Sequence, residues 1–318
     1  MNIILITPAA RLAKNGNRTT AVRWARILRD LGHRVRVDVD WDGKPADLMV
    51  AIHAWRSAEA ALRFRERYPD RPLIVLLSGT DIYRFQESHP EVTRQSMEIA
   101  DALACLHGQV HRSIPKEFAS KVHVVHQSAP PLPQPRRPSQ RHLDICVIGH
   151  LREEKDPLRT AYAVRDLPAD SNIRVIHLGK AHTPDWAEKA EAEMARNDRY
   201  HWLGEVPGWR VRREFVKTHA MVLSSVMEGG ANVISEAVAA GVPVLASDIE
   251  GSVGLLGEDY GGYYPVKNTG ALQRLLLRAE NEPGFLVGLG KQGAAKRHLF
   301  TPERETAEWK SLLEVVGA

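Results

Sequence analysis

The sequence has 318 residues, of which 43% are hydrophobic and 26% are charged, and its formal net charge is +4. This length is sufficient for two domains, and the composition is that of an ordinary globular protein, which excludes a disordered or fibrous chain. The mild excess of basic residues suits small anionic ligands and does not indicate a nucleic-acid partner.

The N-terminal segment and the two cysteines indicate a compartment. Residues 1–10 read MNIILITPAA, without the basic leader and longer apolar core of a signal peptide. No run approaches the ~20 apolar residues that a membrane span requires. Cys105 and Cys146 each lie in an apolar, strand-like run, where free buried thiols are expected. We therefore expect a cytoplasmic protein that does not enter a membrane.

Short apolar runs alternate with helical patterns in the first half of the chain. The predicted strands are Asn2–Thr7, Arg34–Asp38, Leu48–Ile52, Leu73–Leu77, Ala102–Leu106 and Val122–Val125. The predicted helices are Thr19–Leu31, Ala54–Tyr68 and Glu91–Ile99. In the first helix Arg23, Arg26 and Arg29 lie opposite the apolar face, so we expect this arginine row to be solvated.

A proline-rich segment then divides the chain near its middle. Residues 129–140 read APPLPQPRRPSQ, with five prolines in twelve residues. Proline at this density removes backbone donors and favours an extended chain, so residues 129–141 are predicted to form a linker. One domain is therefore predicted over residues 1–128 and a second over residues 142–301. A last helix, at about residues 302–318, could pack back on the first domain.

The alternation of strands and helices restarts after the linker. The predicted strands are Leu143–Ile148, Ile173–Leu178, Tyr200–Leu203, Ala220–Leu223, Val242–Ala246 and Gly262–Pro265. The predicted helices are Leu158–Leu167, Pro184–Ala195, Trp209–Thr218, Ala231–Ala240, Gly270–Ala279, Pro283–Lys296 and Pro302–Val316. This order predicts an α/β fold of two doubly wound, parallel-sheet, Rossmann-like domains. Ligands are expected beyond the carboxyl ends of the strands, in the cleft between the domains.

The segment EGGANVISE, from Glu228 to Glu236, is the most informative for function. On one helix the two carboxylates would stand roughly 12 Å apart along the axis, within reach of one extended ligand. Gly229 and Gly230 would place free backbone N–H groups at the start of that helix, where anions bind. Glu236 alone could be a solvent-facing charge. The whole pattern favours a ligand with phosphate and hydroxyl groups, such as a nucleotide sugar.

A second cluster of charge, GHLREEKDP, follows the first strand of the second half. Gly149 permits a tight turn after that strand. His150, Arg152 and Lys155 then bring cationic groups beside the start of a helix, where a diphosphate would meet both charge and helix dipole. The alternative is a loop in which the neighbouring acidic residues neutralise these bases.

Polar residues also follow the strands of the first half. In KNGNRTT, residues 14–20, Gly16 and Asn17 open the first helix and predict an anion-binding turn, although such a pair also marks ordinary turns. The residues expected near an acceptor are Arg11, His53, Arg56, Thr80, Asp81 and Arg84. No cluster has convincing metal-ligand spacing, so no metal or other cofactor is expected.

These motifs resemble those of the two-Rossmann-domain GT-B glycosyltransferases of group 1 (family 4), over essentially the whole chain. The resemblance implies that Glu236 binds the ribose of a nucleotide-sugar donor and that Lys155 neutralises its diphosphate. It also implies a set of contacts to the donor sugar and β-phosphate: Glu228, Gly229, Gly230, Ala231 and Asn232. The family usually has G-R-L at the turn, where this chain reads Gly149-His150-Leu151-Arg152. Either His150 or Arg152 could therefore replace the family arginine.

Longer signatures are similar to the selenosugar synthases of selenoneine biosynthesis, a small branch of that group: GNRTTAVRWARILRDLGHRV, SGTDIYR, GHLREEKDP, MEGGANVISEA and LLGEDYGGYYPV. This resemblance implies that a UDP-sugar, such as UDP-N-acetylglucosamine or UDP-glucose, reacts with selenophosphate to give a selenosugar, UDP and phosphate. A functional coupling to a selenophosphate-producing enzyme would follow. The alternatives are a GT-B transferase with a carbohydrate or other small acceptor, and a non-catalytic nucleotide-sugar-binding protein.

The expected mechanism assigns catalytic roles to both halves. Lys155, Arg152 and the segment that begins at Glu228 would stabilise the charge that develops on the departing UDP, without a metal ion. Selenophosphate is already an anion and needs positive charge, for which His53 and the arginines of the first domain are the candidates. Asp81 would orient the water that cleaves the phosphorus–selenium bond.

Overall fold

The structure is a computed structural model that describes residues 1–13 and 15–318. Over this part of the chain, twelve strands form two sheets of six, and all neighbouring strands run parallel. The strands are β1 (Asn2–Ile6), β2 (Arg34–Asp38), β3 (Leu48–Ile52), β4 (Leu73–Leu76), β5 (Ala102–Cys105), β6 (Val122–Val124), β7 (Leu143–Ile148), β8 (Ile173–Leu178), β9 (Tyr200–Trp202), β10 (Ala220–Leu223), β11 (Val244–Ser247) and β12 (Tyr263–Tyr264).

Helices connect these strands. The α-helices are α1 (Gly16–Asp30), α2 (Ala58–Arg67), α3 (Gln86–Ser88), α4 (Pro90–Ile99), α5 (Arg159–Val164), α6 (Pro184–Arg196), α7 (Gly208–Lys217), α8 (Asn232–Ala239), α9 (Glu250–Leu256), α10 (Thr269–Asn281), α11 (Phe285–Lys296) and α12 (Pro302–Val315). A π-helical turn, Asp81–Phe85, precedes α3. Short 3₁₀ turns cover Val110–Arg112, Lys116–Lys121, Glu153–Lys155 and Arg297–Phe300.

The strand order of each sheet fixes where ligands are expected. The first sheet runs β2-β1-β3-β4-β5-β6, and the second runs β12-β11-β10-β7-β8-β9. The order therefore reverses beside β1 and β3 in the first sheet, and beside β7 and β10 in the second. In open parallel sheets, ligands bind beyond the carboxyl ends of the strands at such a reversal. The predicted fold of two doubly wound parallel sheets is confirmed.

The chain divides into two compact units. The first comprises Met1–Ser128, Glu228–Asn232 and Thr301–Ala318, and the second comprises Ala129–Met227 and Val233–Phe300. The central strands of each sheet are apolar and buried, as expected of a parallel sheet covered on both faces. In the first unit one face of the sheet packs on Phe64 and Met97, and the other on Trp24 and Trp309. The last helix, α12, thus belongs to the core that the first helix forms.

The proline-rich segment has no helix or strand over residues 129–140 and is held along the second unit. The Arg136 guanidinium donates to the carbonyls of Thr218 and Gly241, at 2.5 and 2.6 Å. The Arg137 N–H donates to the Val216 carbonyl at 2.7 Å. The segment is therefore an ordered, extended chain.

Candidate functional site

The turn after β7 lies at the strand-order reversal of the second sheet. Gly149 pairs with the neighbouring strand, because its N–H donates to the Leu178 carbonyl at 2.9 Å. Glu153–Lys155 then form one 3₁₀ turn, which ends at Asp156 in the left-handed region with φ 43°. One pocket is lined by Gly149, His150 and Lys155 from this turn, together with Ser224 and Ser225 at the end of β10. The predicted cationic residues are therefore brought to the edge of the sheet where a ligand is expected.

The His150 ring is oriented by the backbone of a neighbouring loop. The Lys180 N–H donates to His150 Nδ1 at 3.0 Å, so the proton of the neutral ring lies on Nε2. Arg152 is half-buried, and its Nε stands 3.9 Å from the Glu154 carboxylate. His150 is thus arranged as a directed hydrogen-bond donor, whereas Arg152 has an acidic neighbour.

Serines at the ends of β10 and β11 support the turn. The Ser224 hydroxyl lies 3.0 Å from the carbonyl of Lys155 and 2.9 Å from that of Asp156. The Ser247 hydroxyl donates to the Ser225 carbonyl at 2.5 Å. The hydroxyls of the buried Ser224 and Ser247 thus hold backbone carbonyls of the site.

A histidine under the turn completes its support. His177, on β8, is 0% exposed, and its Nε2 lies 3.1 Å from the Gly149 carbonyl oxygen. Its Nδ1 lies 2.8 Å from the Tyr200 hydroxyl on β9. Burial lowers the pKa of His177 to about 4, an effect that the hydrogen bond to Gly149 only partly opposes. The ring is therefore neutral at physiological pH.

Helix α8 begins at Asn232, so Glu228 precedes the helix and the expected placement of both carboxylates on one helix is wrong. Glu236 is half-buried in this helix. The three residues before it and the three residues after it are buried. Glu228 lies in the segment Glu228–Asn232, which groups with the first unit although its neighbours in sequence belong to the second.

Gly229 and Gly230 are required by close packing. A Cβ atom added at Gly229 would lie well within 3.0 Å of the Ser78 carbonyl group, and one at Gly79 within 3.0 Å of the Gly229 nitrogen. Gly230 has φ 125°, and a Cβ there would overlap the side chain of Leu106, at the end of β5. The segment therefore packs backbone against backbone on the loop after β4, which the sequence motif does not reveal.

Asn232 is held by a buried ion pair. Arg23 Nη1 donates to the Asn232 side-chain oxygen at 3.1 Å, while Arg23 Nε donates to the Glu305 carboxylate at 3.0 Å. Glu305 is 0% exposed and also accepts from Trp24 Nε1 and Ser128. The expectation of a solvated Arg23 is wrong, because Arg23 pairs with the buried Glu305. The helical pattern does not show this pair, since the two residues lie 282 positions apart in sequence. The Asn232 side-chain oxygen is therefore occupied by Arg23, which holds it within this ion-pair network.

Asp81 does not fit its predicted role. It is 0% exposed, and its carboxylate accepts backbone N–H groups from Ala54, Ser78, Gly79 and Ile82 at 2.7–3.1 Å. A carboxylate so enclosed cannot orient a reacting water. It joins the loops after β3 and β4 and so positions the residues around it.

His53, after β3, lies beside Asp81, with its Nδ1 3.9 Å from the Asp81 carboxylate. It is 1% exposed, and the Arg56 N–H donates to its Nδ1 at 3.2 Å. Its Nε2 proton therefore points at the Thr80 hydroxyl oxygen, 2.9 Å away. Burial, aided by Arg56 and opposed by Asp81, lowers the pKa of His53 below its usual value. The expectation that His53 supplies positive charge is wrong, because its Nδ1 accepts a backbone N–H, which the charged ring could not do.

Arg56 supplies exposed positive charge beside an aromatic pair. Trp55 and Phe85 stack with ring centroids 3.9 Å apart, and the Arg56 guanidinium carbon lies 5.7 and 5.6 Å from the two centroids. Arg84 is also exposed, 6.0 Å from the Phe85 ring. The predicted acceptor residues after β3 and β4 are thus brought together, with two aromatic residues that the sequence did not single out.

The turn before α1 is fixed by a helix cap. The Asn15 side chain accepts from the Arg18 N–H at 3.0 Å and caps α1, which begins at Gly16. A Cβ at Gly16 would meet no atom within 4 Å, so no close backbone approach requires this glycine. Arg11 is exposed, and no hydrogen bond or ion pair among the described residues joins it to His53, Thr80 or Asp81. Lys14, the first residue of the KNGNRTT motif, lies outside the described residues.

A family match covers most of the second unit and the segment Glu228–Asn232. Residues 132–296, more than half of the chain, match the family described as glycosyl transferases group 1. The chain belongs to the group 1 glycosyl transferases. No curated protein matches the sequence.

Solved structures share the fold of this group 1 transferase at low sequence identity. Sucrose-phosphate synthase from Thermosynechococcus elongatus has a TM-score of 0.81 at 17% identity, over 98% of this chain and 98% of that chain. HepE from Anabaena, in complex with UDP and glucose, has a TM-score of 0.78 at 14% identity, over 99% of both chains. A glycosyltransferase from Rickettsia africae has a TM-score of 0.74 at 13% identity, over 99% of this chain and 98% of that chain. The predicted GT-B fold is confirmed.

Among residues 1–13 and 15–318, no group of three or more His, Cys, Asp and Glu side chains could hold a metal ion. In the same residues, every helix is too short or too polar to cross a bilayer. Cys105 and Cys146 are buried free thiols, and burial raises the pKa of both, that of Cys105 to about 12.

Proposed function

We propose that this glycosyltransferase joins selenophosphate to a UDP-sugar, UDP-N-acetylglucosamine or UDP-glucose, in selenoneine biosynthesis. The carbon–selenium bond forms at the anomeric carbon as the bond from that carbon to the UDP oxygen breaks. Water then cleaves the phosphorus–selenium bond, which releases phosphate and the selenosugar. The selenium chemistry rests on the resemblance of the sequence signatures, and the donor class is supported by the family and by the UDP and glucose bound to HepE.

One observation carries the donor half of this proposal. His150 and Lys155 share a pocket with the end of β10, at the strand-order reversal of the second sheet. Lys155 and Arg152 would stabilise the charge on the departing diphosphate, which needs no metal ion. His150 Nε2–H would donate to a phosphate oxygen, and Glu236 would accept from the ribose hydroxyls. Glu228 and the amides from Gly229 to Asn232 remain proposed contacts of the sugar and β-phosphate.

The acceptor half is proposed to lie around Thr80. Its hydroxyl oxygen accepts from His53 Nε2–H, so its own proton remains to donate. No other hydrogen-bond partner of this hydroxyl exists among the described residues. An anionic oxygen of selenophosphate would accept that proton, with Arg56 and Arg84 supplying positive charge. Asp81 and His53 act as positioning residues in this proposal, Asp81 through backbone N–H groups and His53 through Thr80.

A donor-site substitution tests the reaction itself. Wild-type protein is incubated with a UDP-sugar and selenophosphate, UDP release is measured, and the product is identified by mass spectrometry. Lys155→Ala should lower kcat about 100-fold, because a preorganised contact to the leaving group is lost. Lys189→Ala is the matched control, since Lys189 is an exposed cation of the same unit, paired with Asp185 on α6. Near-normal turnover by Lys155→Ala, or no selenosugar from wild type, would refute the assignment.

An acceptor-site substitution tests the role of Thr80. Thr80→Val keeps the shape of the side chain but removes its hydroxyl, so the KM for selenophosphate should rise roughly 10- to 100-fold, the cost of a hydrogen bond to a charged group. Thr80→Ser retains the hydroxyl and should stay close to wild type. An unchanged KM in Thr80→Val would remove Thr80 from the acceptor site.

A carbohydrate acceptor is the second candidate. The stacked Trp55–Phe85 pair favours it, because an aromatic face can pack on the apolar C–H groups of a sugar. The UDP-release assay separates the two candidates, since release with a carbohydrate and none with selenophosphate would select the second. Release with neither would favour a nucleotide-sugar-binding protein without catalytic activity.

A further inference from the structure

The buried pair His177 and Tyr200 lies directly under the turn that is proposed to bind the donor diphosphate. His177 pairs with Val147 in the parallel register of β7 and β8, two residues before Gly149. Both side chains are almost fully buried, at 0% exposure for His177 and 1% for Tyr200. Neither residue was singled out by the sequence motifs, and neither takes part in the chemistry proposed above.

The hydrogen bonds of the pair have only one consistent direction. A carbonyl oxygen can only accept, so His177 Nε2 carries the proton that it donates to Gly149. Nδ1 is then an acceptor and receives the Tyr200 hydroxyl proton. Burial raises the pKa of Tyr200 above its usual value, which keeps the phenol protonated as this arrangement requires. Every polar atom of the pair therefore has a defined role.

The Gly149 peptide is also enclosed from the side. A Cβ added at Gly179 would overlap the Gly149 carbonyl, so only glycine fits at that position. Trp202 Nε1 donates to the Gly179 carbonyl at 2.8 Å and holds the loop after β8 in place. The Lys180 N–H of this loop in turn orients the His150 ring. Backbone and side chains of the turn are thus fixed from β8 and β9.

We propose that Tyr200 and His177 are positioning residues of the donor site, which fix the Gly149 carbonyl and thereby hold His150 and Lys155 against the diphosphate. This inference rests on the proposed function, in which that turn binds the diphosphate. Without the imidazole donor, the half-buried Gly149 carbonyl would lose this hydrogen bond, and the turn would relax to find another partner.

The test compares three variants of the full-length protein. His177→Leu removes both hydrogen bonds, Tyr200→Phe removes only the hydroxyl, and His177→Gln keeps an N–H donor for Gly149. UDP affinity is measured by calorimetry and steady-state kinetics by UDP release. His177→Leu should weaken UDP binding and raise the donor KM roughly tenfold, with a smaller effect on kcat. His177→Gln should recover most of the affinity, which a purely volume-filling role would not allow.

A matched control separates positioning from general destabilisation. The Tyr260 hydroxyl donates to the Val244 carbonyl at 2.7 Å, is buried in the same unit, and lies on a different loop. Tyr260→Phe should therefore lower the melting temperature about as much as Tyr200→Phe without changing UDP affinity. Equal UDP affinity in Tyr200→Phe, His177→Leu and wild type would overturn the inference.

Amide hydrogen exchange distinguishes failure of this inference from failure of the proposed function. The Gly149 and Leu151 N–H groups donate to the carbonyls of Leu178 and Lys180, and the Lys155 N–H donates within the turn to the Arg152 carbonyl. They should exchange faster in His177→Leu and Tyr200→Phe than in wild type. If wild type bound no UDP, the proposed function would fail even with faster exchange, and the pair would support the turn without serving a donor. Unchanged exchange would refute the positioning role by itself.

Discussion

At the scale of single residues, three buried histidines, His53, His107 and His177, are distinguished by hydrogen bonds that leave no choice of tautomer. His53 and His177 each have one nitrogen that accepts and one that donates. His107 is similar, since the Gln109 N–H donates to its Nδ1 at 3.2 Å and its Nε2 lies 3.4 Å from the Tyr83 hydroxyl. The structure uses these three residues as neutral hydrogen-bonding connectors. Positive charge comes from the arginines and Lys155 instead.

The neutral state of His107 predicts a pH-dependent stability. Burial, aided by the charge of His126, lowers its pKa from 6.5 to about 4. Between these values the unfolded chain binds a proton that the folded chain does not, so the contribution is complete above pH 6.5 and is lost as the pH falls towards 4. We expect the free energy of unfolding to fall by up to about 1.4 kcal/mol per pH unit for this residue.

Chemical denaturation of His107→Gln at pH 7 and pH 5 measures this effect. The variant lacks the titrating group and should show a smaller difference between the two pH values than wild type. His111→Gln is the control, because His111 is exposed in the adjacent 3₁₀ turn and should leave the difference unchanged. Identical pH dependence in His107→Gln and wild type would contradict the neutral, buried state.

At the scale of elements, the sequence predicts the strands well because each is a short run rich in apolar and β-branched or aromatic residues, bounded by polar or turn residues. β2, β3, β7, β8 and β10 have the predicted bounds, and the other seven differ only at their ends. Helix α9 was missed because its short, glycine- and serine-containing sequence lacks a helical period. The π-helical turn Asp81–Phe85 was also missed, since it depends on loop contacts and not on local propensity.

The candidate site was predictable only where local sequence determines it. The turn from Gly149 to Lys155 follows a strand and carries its cations within seven residues, so the motif sufficed. Arg23 and Glu305 escaped prediction because a buried ion pair forms between residues 282 positions apart. The role of Asp81 escaped prediction because its enclosure depends on the backbone conformation: three of its four N–H donors lie within three residues, and the fourth, from Ala54, lies 27 positions away.

The close approach of Gly229, before α8, to the loop after β4 can be tested by substitution. Gly229→Ala places a methyl group on the Ser78 carbonyl group, so the segment Glu228–Asn232 must move away from the loop after β4. Overpacking of this kind costs about 1–3 kcal/mol, and turnover should fall with the displacement of Glu228. Gly108→Ala is the matched control, because a Cβ there meets nothing within 4 Å and the residue is outside the left-handed region. Comparable activity and melting temperature in the two variants would contradict the close approach.

At the scale of the whole molecule, the first unit is not contiguous in sequence. Its core needs residues from both ends of the chain, because Trp24 of α1 and Trp309 of α12 meet edge to face with ring centroids 4.8 Å apart. Glu305 adds a buried carboxylate that accepts from α1 and from Ser128. The helix that ends the chain therefore completes the unit in which the chain begins.

Truncation of Trp309 tests how much of the first unit depends on that last helix. Trp309 is 0% exposed, so Trp309→Ala removes a large buried ring and leaves a cavity against Trp24, which should cost about 3–5 kcal/mol in the free energy of unfolding. Trp309→Phe retains part of the contact and should lose less. Val315→Ala, at a position that is 56% exposed on the same helix, should be close to neutral. Urea unfolding followed by circular dichroism measures all three, and a wild-type midpoint for Trp309→Ala would mean that α12 is dispensable for the core.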